Sequence, residues 1–148
     1  MTIVICSSAA FYEHGNQLAD ELTARGFTVV VPATARKMKA SGNYDVTLTK
    51  TWYDNPEDFH RKAELMRGHF DEIEQGDAIL VVNDEKHGVA GYIGPNVLME
   101  MGLAFHRKKP IYVLNAIDKA MPVYEEVVGM GSIILEGDLS GISSKAGV

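Results

Sequence analysis

Residues 3–6 form a short, β-branched apolar run, the pattern of a strand covered on both faces. Ser7, Ser8 and Ala9 make a small-residue turn, after which Leu18, Ala19 and Leu22 fall on one face of a helix. Arg25 and Gly26 end that helix with a basic last turn and a glycine cap. A second strand is expected over 27–31, stopped by Pro32. Residues 33–53 are polar and show no sustained period, so they read as a long loop. Structureless loops of that length in compact domains are usually functional or mobile. Asn55-Pro56-Glu57-Asp58 opens a helix, with proline and acids in its first turn. That helix is expected to run through Phe59, Ala63, Met66, Phe70 and Ile73 to Gly76. Residues 77–83 form a third buried strand, and 84–94 a loop with three glycines. A helix opened by Pro95, a strand at 111–114, a short helix at 123–128 and a strand at 132–135 complete the pattern.

Strands alternating with helices imply right-handed βαβ units and a parallel sheet. Five strands suit the order 2-1-3-4-5, a flavodoxin-like doubly wound α/β fold. The ligand crevice of such a sheet lies beyond the carboxyl ends of strands one and three. This places Ser7, Ser8, Asn83, Asp84 and the loop holding Gly91, Tyr92 and Gly94 at one rim, with Asn96 just inside the next helix. On that helix, Val97, Leu98, Met101, Ala104 and Phe105 form the expected core face. Met99, Leu103 and His106 lie roughly opposite, an apolar side that suggests contact with another subunit. Glu100 stands at the border of the two faces, near the helix start and turned towards the crevice. A partly enclosed carboxylate there suits a nucleophile or general base; a hydrogen-bonded structural glutamate is the alternative.

Composition narrows the class. A chain of 148 residues suits one domain spanning 1–148. With 46% hydrophobic and 23% charged residues, it is not expected to be disordered. A net charge of −6 argues against a nucleic-acid polymer as partner, though not against a single nucleotide. The lone cysteine, Cys6, excludes an internal disulfide and reads as a small core residue in a reducing compartment. No apolar run reaches membrane-span length, so a cytoplasmic protein without a membrane partner is expected. The five histidines show no metal-ligand spacing, and there is no CxxC or Walker loop, so neither metal nor cofactor is expected. His69 reads as a helix-surface residue, with a place facing the crevice as the alternative, and Arg36, Lys37 and Lys39 as solvated, with a phosphate contact as the alternative.

Gly91-Tyr92-Ile93-Gly94, then Glu100-Met101-Gly102-Leu103-Ala104, then Lys109-Pro110-Ile111 resemble the nucleoside 2-deoxyribosyltransferase superfamily. Gln75-Gly76-Asp77 ahead of the third strand extends the likeness, which runs from Ile3 to about Leu139 and is strongest over 77–114. The nearest pattern is a poorly characterised branch with Tyr-Ile-Gly before the Glu-Met-Gly helix. The resemblance implies cleavage or transfer at the N-glycosidic bond of a (deoxy)nucleoside or nucleotide. Glu100 would attack C1′ and Asp77 would help protonate the departing base. It implies Tyr12 as the aromatic of the first loop and Ser132 as a residue lent across a homodimer or larger homo-oligomer. Gly94 occupies a position where transferases of the family often carry a second acid. Hydrolase, transferase and non-catalytic nucleotide binder therefore all remain open.

Overall fold

The computed structural model describes residues 1–144. Five strands form one parallel sheet: β1 (Thr2–Ser7), β2 (Thr28–Val30), β3 (Ala78–Val82), β4 (Ile111–Val113) and β5 (Ile133–Ile134), in the order β2-β1-β3-β4-β5. The order is the one the alternating pattern predicts, and the fold is a flavodoxin-like, doubly wound α/β fold. The helices are α1 (Tyr12–Ala24), α2 (Ala33–Ser41), α3 (Phe59–Gln75), α4 (Pro95–His106) and α5 (Tyr124–Gly129). No helix among the described residues is long and apolar enough to cross a membrane.

Side chains alternate across each strand, so the two faces of the sheet build separate cores. Ile3 and Ile5 of β1 pack with Leu18 and Leu22 of α1 and with Leu80 and Tyr112. Val4 and Cys6 face the other way, into a core with Ile73 of α3, Val97, Met101 and Ala104 of α4, and Val127 of α5. Cys6 therefore looks out between α3 and α4 from near the carboxyl end of β1.

Two expectations are corrected. Residues 33–53 are not a structureless loop: they hold α2 and two 3₁₀ turns, Val46–Leu48 and Thr51–Tyr53. The helix was illegible because only Ala35 and Met38 are buried along it, while Arg36, Lys37 and Lys39 face outward. Its end is marked by Gly42 in the left-handed conformation at φ 70°. On α4 the buried stripe comprises Val97, Glu100, Met101 and Ala104, whereas Phe105 is exposed. The stripe is thus rotated so that Glu100 lies inside it rather than at its border.

Candidate functional site

The site grows from three elements that meet at the carboxyl end of β1. Alternation along β1 aims Cys6 at α3 and α4. On α3, Met66, His69 and Ile73 recur at helical spacing, so the imidazole shares the inward stripe. On α4, Glu100 projects from the same stripe as Val97 and Ala104. All three polar groups are more than nine-tenths buried: Cys6 at 0%, Glu100 at 3% and His69 at 7% exposure.

Their contacts form a chain. The Arg36 guanidinium donates to Glu72 Oε1 at 2.8 Å, and Glu72 Oε2 lies 2.8 Å from His69 Nδ1. A carboxylate at Nδ1 holds the proton of the neutral ring there and leaves the Nε2 lone pair facing inward. That Nε2 is 3.7 Å from Cys6 Sγ and 3.9 Å from Glu100 Oε1. Asn96, one turn earlier on α4, donates its amide to Glu100 Oε1 at 3.1 Å. Glu100 Oε2 is buried with no hydrogen-bond partner among the described residues. A buried acceptor without a partner is costly, and such groups concentrate where a ligand or reaction uses them.

Burial dominates the electrostatics. It pushes the Glu100 carboxyl above its usual range, against the opposing pull of His69, Cys6, Lys62 and Asn96. Burial and the neighbouring Glu100 also push the Cys6 thiol well up. Tyr12 is raised by burial first and by Glu100 second, so its phenol keeps its proton throughout the physiological range. For Glu72 burial acts upward, but hydrogen bonds from His69 and Arg36 outweigh it and hold the carboxyl low.

The cluster opens into a cleft of about 210 Å³. Glu100, His69 and Asn96 occupy its buried end. Tyr12, Pro32, Trp52, Leu65 and Met66 supply apolar and aromatic wall, while Arg36, Lys50 and Lys62 bring positive charge. Trp52 is buried, packs 6.4 Å from the Phe59 ring, and carries Lys62 Nζ 5.8 Å from its own ring centre. Burial, then the nearby ammonium groups of Lys86 and Lys62, lower the Lys50 pKa. The cleft is somewhat smaller than the roughly 300–1,000 Å³ of usual small-molecule sites and could take a small ligand.

Of the residues proposed from sequence, Tyr12, Asn96 and Glu100 line this cleft. The expected rim does not, apart from Ala9 of the first turn. Asn83 is a structural clasp: its side-chain Oδ1 accepts from the Asn115 backbone N–H at 2.8 Å, and its side-chain Nδ2 donates to the Asn115 and Gly91 backbone carbonyls. Asp84 pairs with His14 at 2.7 Å. Ser7 donates to the Ser8 carbonyl, and Lys86 donates to Ser8 Oγ while lying 5.1 Å from the Tyr92 ring centre. Tyr92 packs against one core and Ile93 enters the other. The loop with Gly91, Tyr92 and Gly94 thus fills the switch-point crevice itself, and the opening is displaced towards α2 and α3. Ser132, between α5 and β5, has a buried hydroxyl with no partner among the described residues and lies outside the cleft lining.

Asp77 is separated from Glu100. It sits at the amino end of β3, where its carboxylate accepts from the Thr2 amide at 2.6 Å. The cluster is towards the other end of the strands: Cys6 pairs with Val81, four residues or ~13 Å from Asp77 along the sheet. His69, expected on the helix surface, is instead buried, because it shares the inward stripe of α3; Glu72, Trp52, Lys50 and Lys62 were not singled out from the sequence. The spacing of His69 with Met66 and Ile73 was the available signal for the first. Nothing local marked the others beyond the unusual length of the segment before α3. Compared with known proteins, the chain matches no family model and no curated protein.

Proposed function

We propose that this protein acts at the N-glycosidic bond of a (deoxy)nucleoside or nucleotide, with Glu100 as the group that meets C1′. The observation that carries the reading is the Glu100 carboxylate. It is buried beside a small cleft, with Oε1 fixed by Asn96 and Oε2 without a partner among the described residues. The parallel sheet agrees with the fold of the superfamily that the Gly91–Gly94 and Glu100–Ala104 segments resemble.

In this reading the base lies against Trp52 and Tyr12, and the sugar reaches inward to Glu100. Positive charge develops on the sugar ring as the bond to the base stretches, and a carboxylate at C1′ stabilises it. Glu100 Oε2 forms the ester bond to C1′ as the bonding pair leaves with the base. Water or a second base then displaces the carboxylate. Tyr12 stays protonated and serves as a hydrogen-bond donor to the substrate. His69, held by Glu72, positions Glu100. Asp77 is given no part in this mechanism, because it stands at the opposite end of β3. Copies of the chain associate, in this proposal, through the apolar outer side of α4, where Met99 and Phe105 are exposed, while Leu103, expected beside Met99, packs partly against the core instead.

The test is incubation with a panel of deoxynucleosides and deoxynucleotides, followed by chromatography for free base. Wild type is expected to release base from at least one member, and Glu100→Gln to release it at least about a thousandfold more slowly, since no other group replaces a covalent nucleophile. Unchanged release by the variant, or binding of a nucleotide without turnover, would reject the mechanism.

A further inference from the structure

Cys6, His69 and Glu100 come from three separate elements, and one ligand atom from each lies within 4.8 Å of the other two. Among the described residues, no other group of three or more such side chains meets this condition. The measured separations are 3.7 Å from sulfur to imidazole nitrogen and 3.9 Å from that nitrogen to the carboxylate. Bond lengths of about 2.3 Å to sulfur and 2.0–2.1 Å to nitrogen or oxygen place tetrahedral zinc ligands roughly 3.3–3.6 Å apart. A contraction of a few tenths of an ångström would bring those two edges to that spacing, and the third, from sulfur to carboxylate, is within 4.8 Å and must close further on binding.

The surroundings are those of a ligand set. Zinc-bound histidine commonly donates its other ring nitrogen to a carboxylate, which fixes the tautomer and raises the basicity of the ligating nitrogen. Glu72 stands in that place at 2.8 Å, itself fixed by Arg36. Asn96 orients the Glu100 carboxylate, whose second oxygen has no partner among the described residues. Glu100 and His69 also line the cleft, so a metal they hold would border it. Three protein ligands of mixed sulfur, nitrogen and oxygen character with one open position suit Zn²⁺ better than the hard, oxygen-seeking Mg²⁺ or Ca²⁺.

We propose that Cys6 Sγ, His69 Nε2 and the Glu100 carboxylate form a binding site for a divalent transition metal of the zinc type. On binding, the thiol loses its proton to solvent and the thiolate takes the metal; a protonated Glu100 likewise releases its proton, so binding strengthens as pH rises. Where the N-glycosidic reading holds, a bound metal occupies the carboxylate that must meet C1′. Metal and substrate then exclude one another, and the ion acts as an inhibitor.

Cobalt(II) is the probe, because its thiolate charge-transfer band reports sulfur ligation directly. The chain has a single cysteine, so any such band identifies Cys6 without a variant. The expected result is one equivalent of Co²⁺ with a thiolate band in the metal-free wild-type protein, displaced by one equivalent of Zn²⁺. Cys6→Ser should lose the band, and Glu72→Gln should weaken binding about 10–100-fold. Both variants are checked for folding by circular dichroism. Absence of the band from wild-type protein at saturating cobalt would overturn the proposal. So would zinc binding that Cys6→Ser leaves unchanged, which would assign the metal to surface histidines. The spectrum does not depend on turnover, so the metal site and the N-glycosidic reading fail separately: base release in the presence of a chelator with no cobalt band sinks the first alone.

Discussion

Glu100 is held in a place that suits chemistry better than stability. Its carboxyl titrates above the usual range because burial penalises the charged form. An attacking carboxylate must be ionised, so kcat/KM for base release should rise with pH through that elevated value. The acid limb of the profile should therefore lie above about 4.3, the ordinary glutamate value; a limb at the ordinary value would contradict the assignment. Stability has the opposite sign. Between the unfolded and folded pKa values the native state binds more protons than the unfolded state, so stability falls as pH rises through that window. Glu100→Gln should consequently melt higher than wild type at pH 8, with the advantage shrinking towards pH 4, as thermal unfolding at both pH values would reveal. A variant less stable at pH 8 would mean that the carboxylate is a structural anchor. Trp52 offers a separate check: base–aromatic stacking contributes about 1–3 kcal/mol. Trp52→Ala should therefore raise KM about tenfold, with a smaller change in kcat.

At the scale of elements, the loop between β3 and α4 is a scaffold for the site, although it does not line the cleft. Gly91 has φ +67°, and a Cβ there would overlap the Ala116 carbonyl oxygen. Gly91→Ala should cost about 2–4 kcal/mol in chemical denaturation, combining left-handed strain with a backbone clash. A change below about 0.5 kcal/mol would show that the loop can move aside. The strands and their order were legible because each is a short β-branched run bounded by turn residues, and the alternation leaves few topologies. Helix α2 was not, since its hold on the molecule is its packing against α1 and α3, which no local period records. Glu100 could be found from the spacing along α4. Cys6 and His69 could not be joined to it, because 63 and 31 residues separate the three positions and only the crossover between β2 and β3 brings α3 over β1. The rim was misplaced for a related reason: the topology rule locates the crevice, but Tyr92, Ile93 and the Asn83 clasp fill it.

At the scale of the whole molecule, the outer side of α4 leaves Met99 and Phe105 about half exposed, with Val128, Ile133 and Ile134 also open towards solvent. Exposed apolar side chains in such number suit association of copies. Light scattering at micromolar concentration should give a mass of two chains or more, and Phe105→Glu should shift it towards one; a wild-type mass of one chain would contradict this. The central claim remains the bond between Glu100 and C1′, and trapping that bond tests it most directly. A 2′-fluoro-2′-deoxynucleoside destabilises the oxocarbenium-like transition state and slows breakdown of a glycosyl ester. Quenching with acid and digesting the protein should yield the peptide containing Glu100 with the mass of one fluorinated sugar added, and Glu100→Gln should yield none. An added sugar on any other residue, or release of base with no modified peptide, would contradict the account.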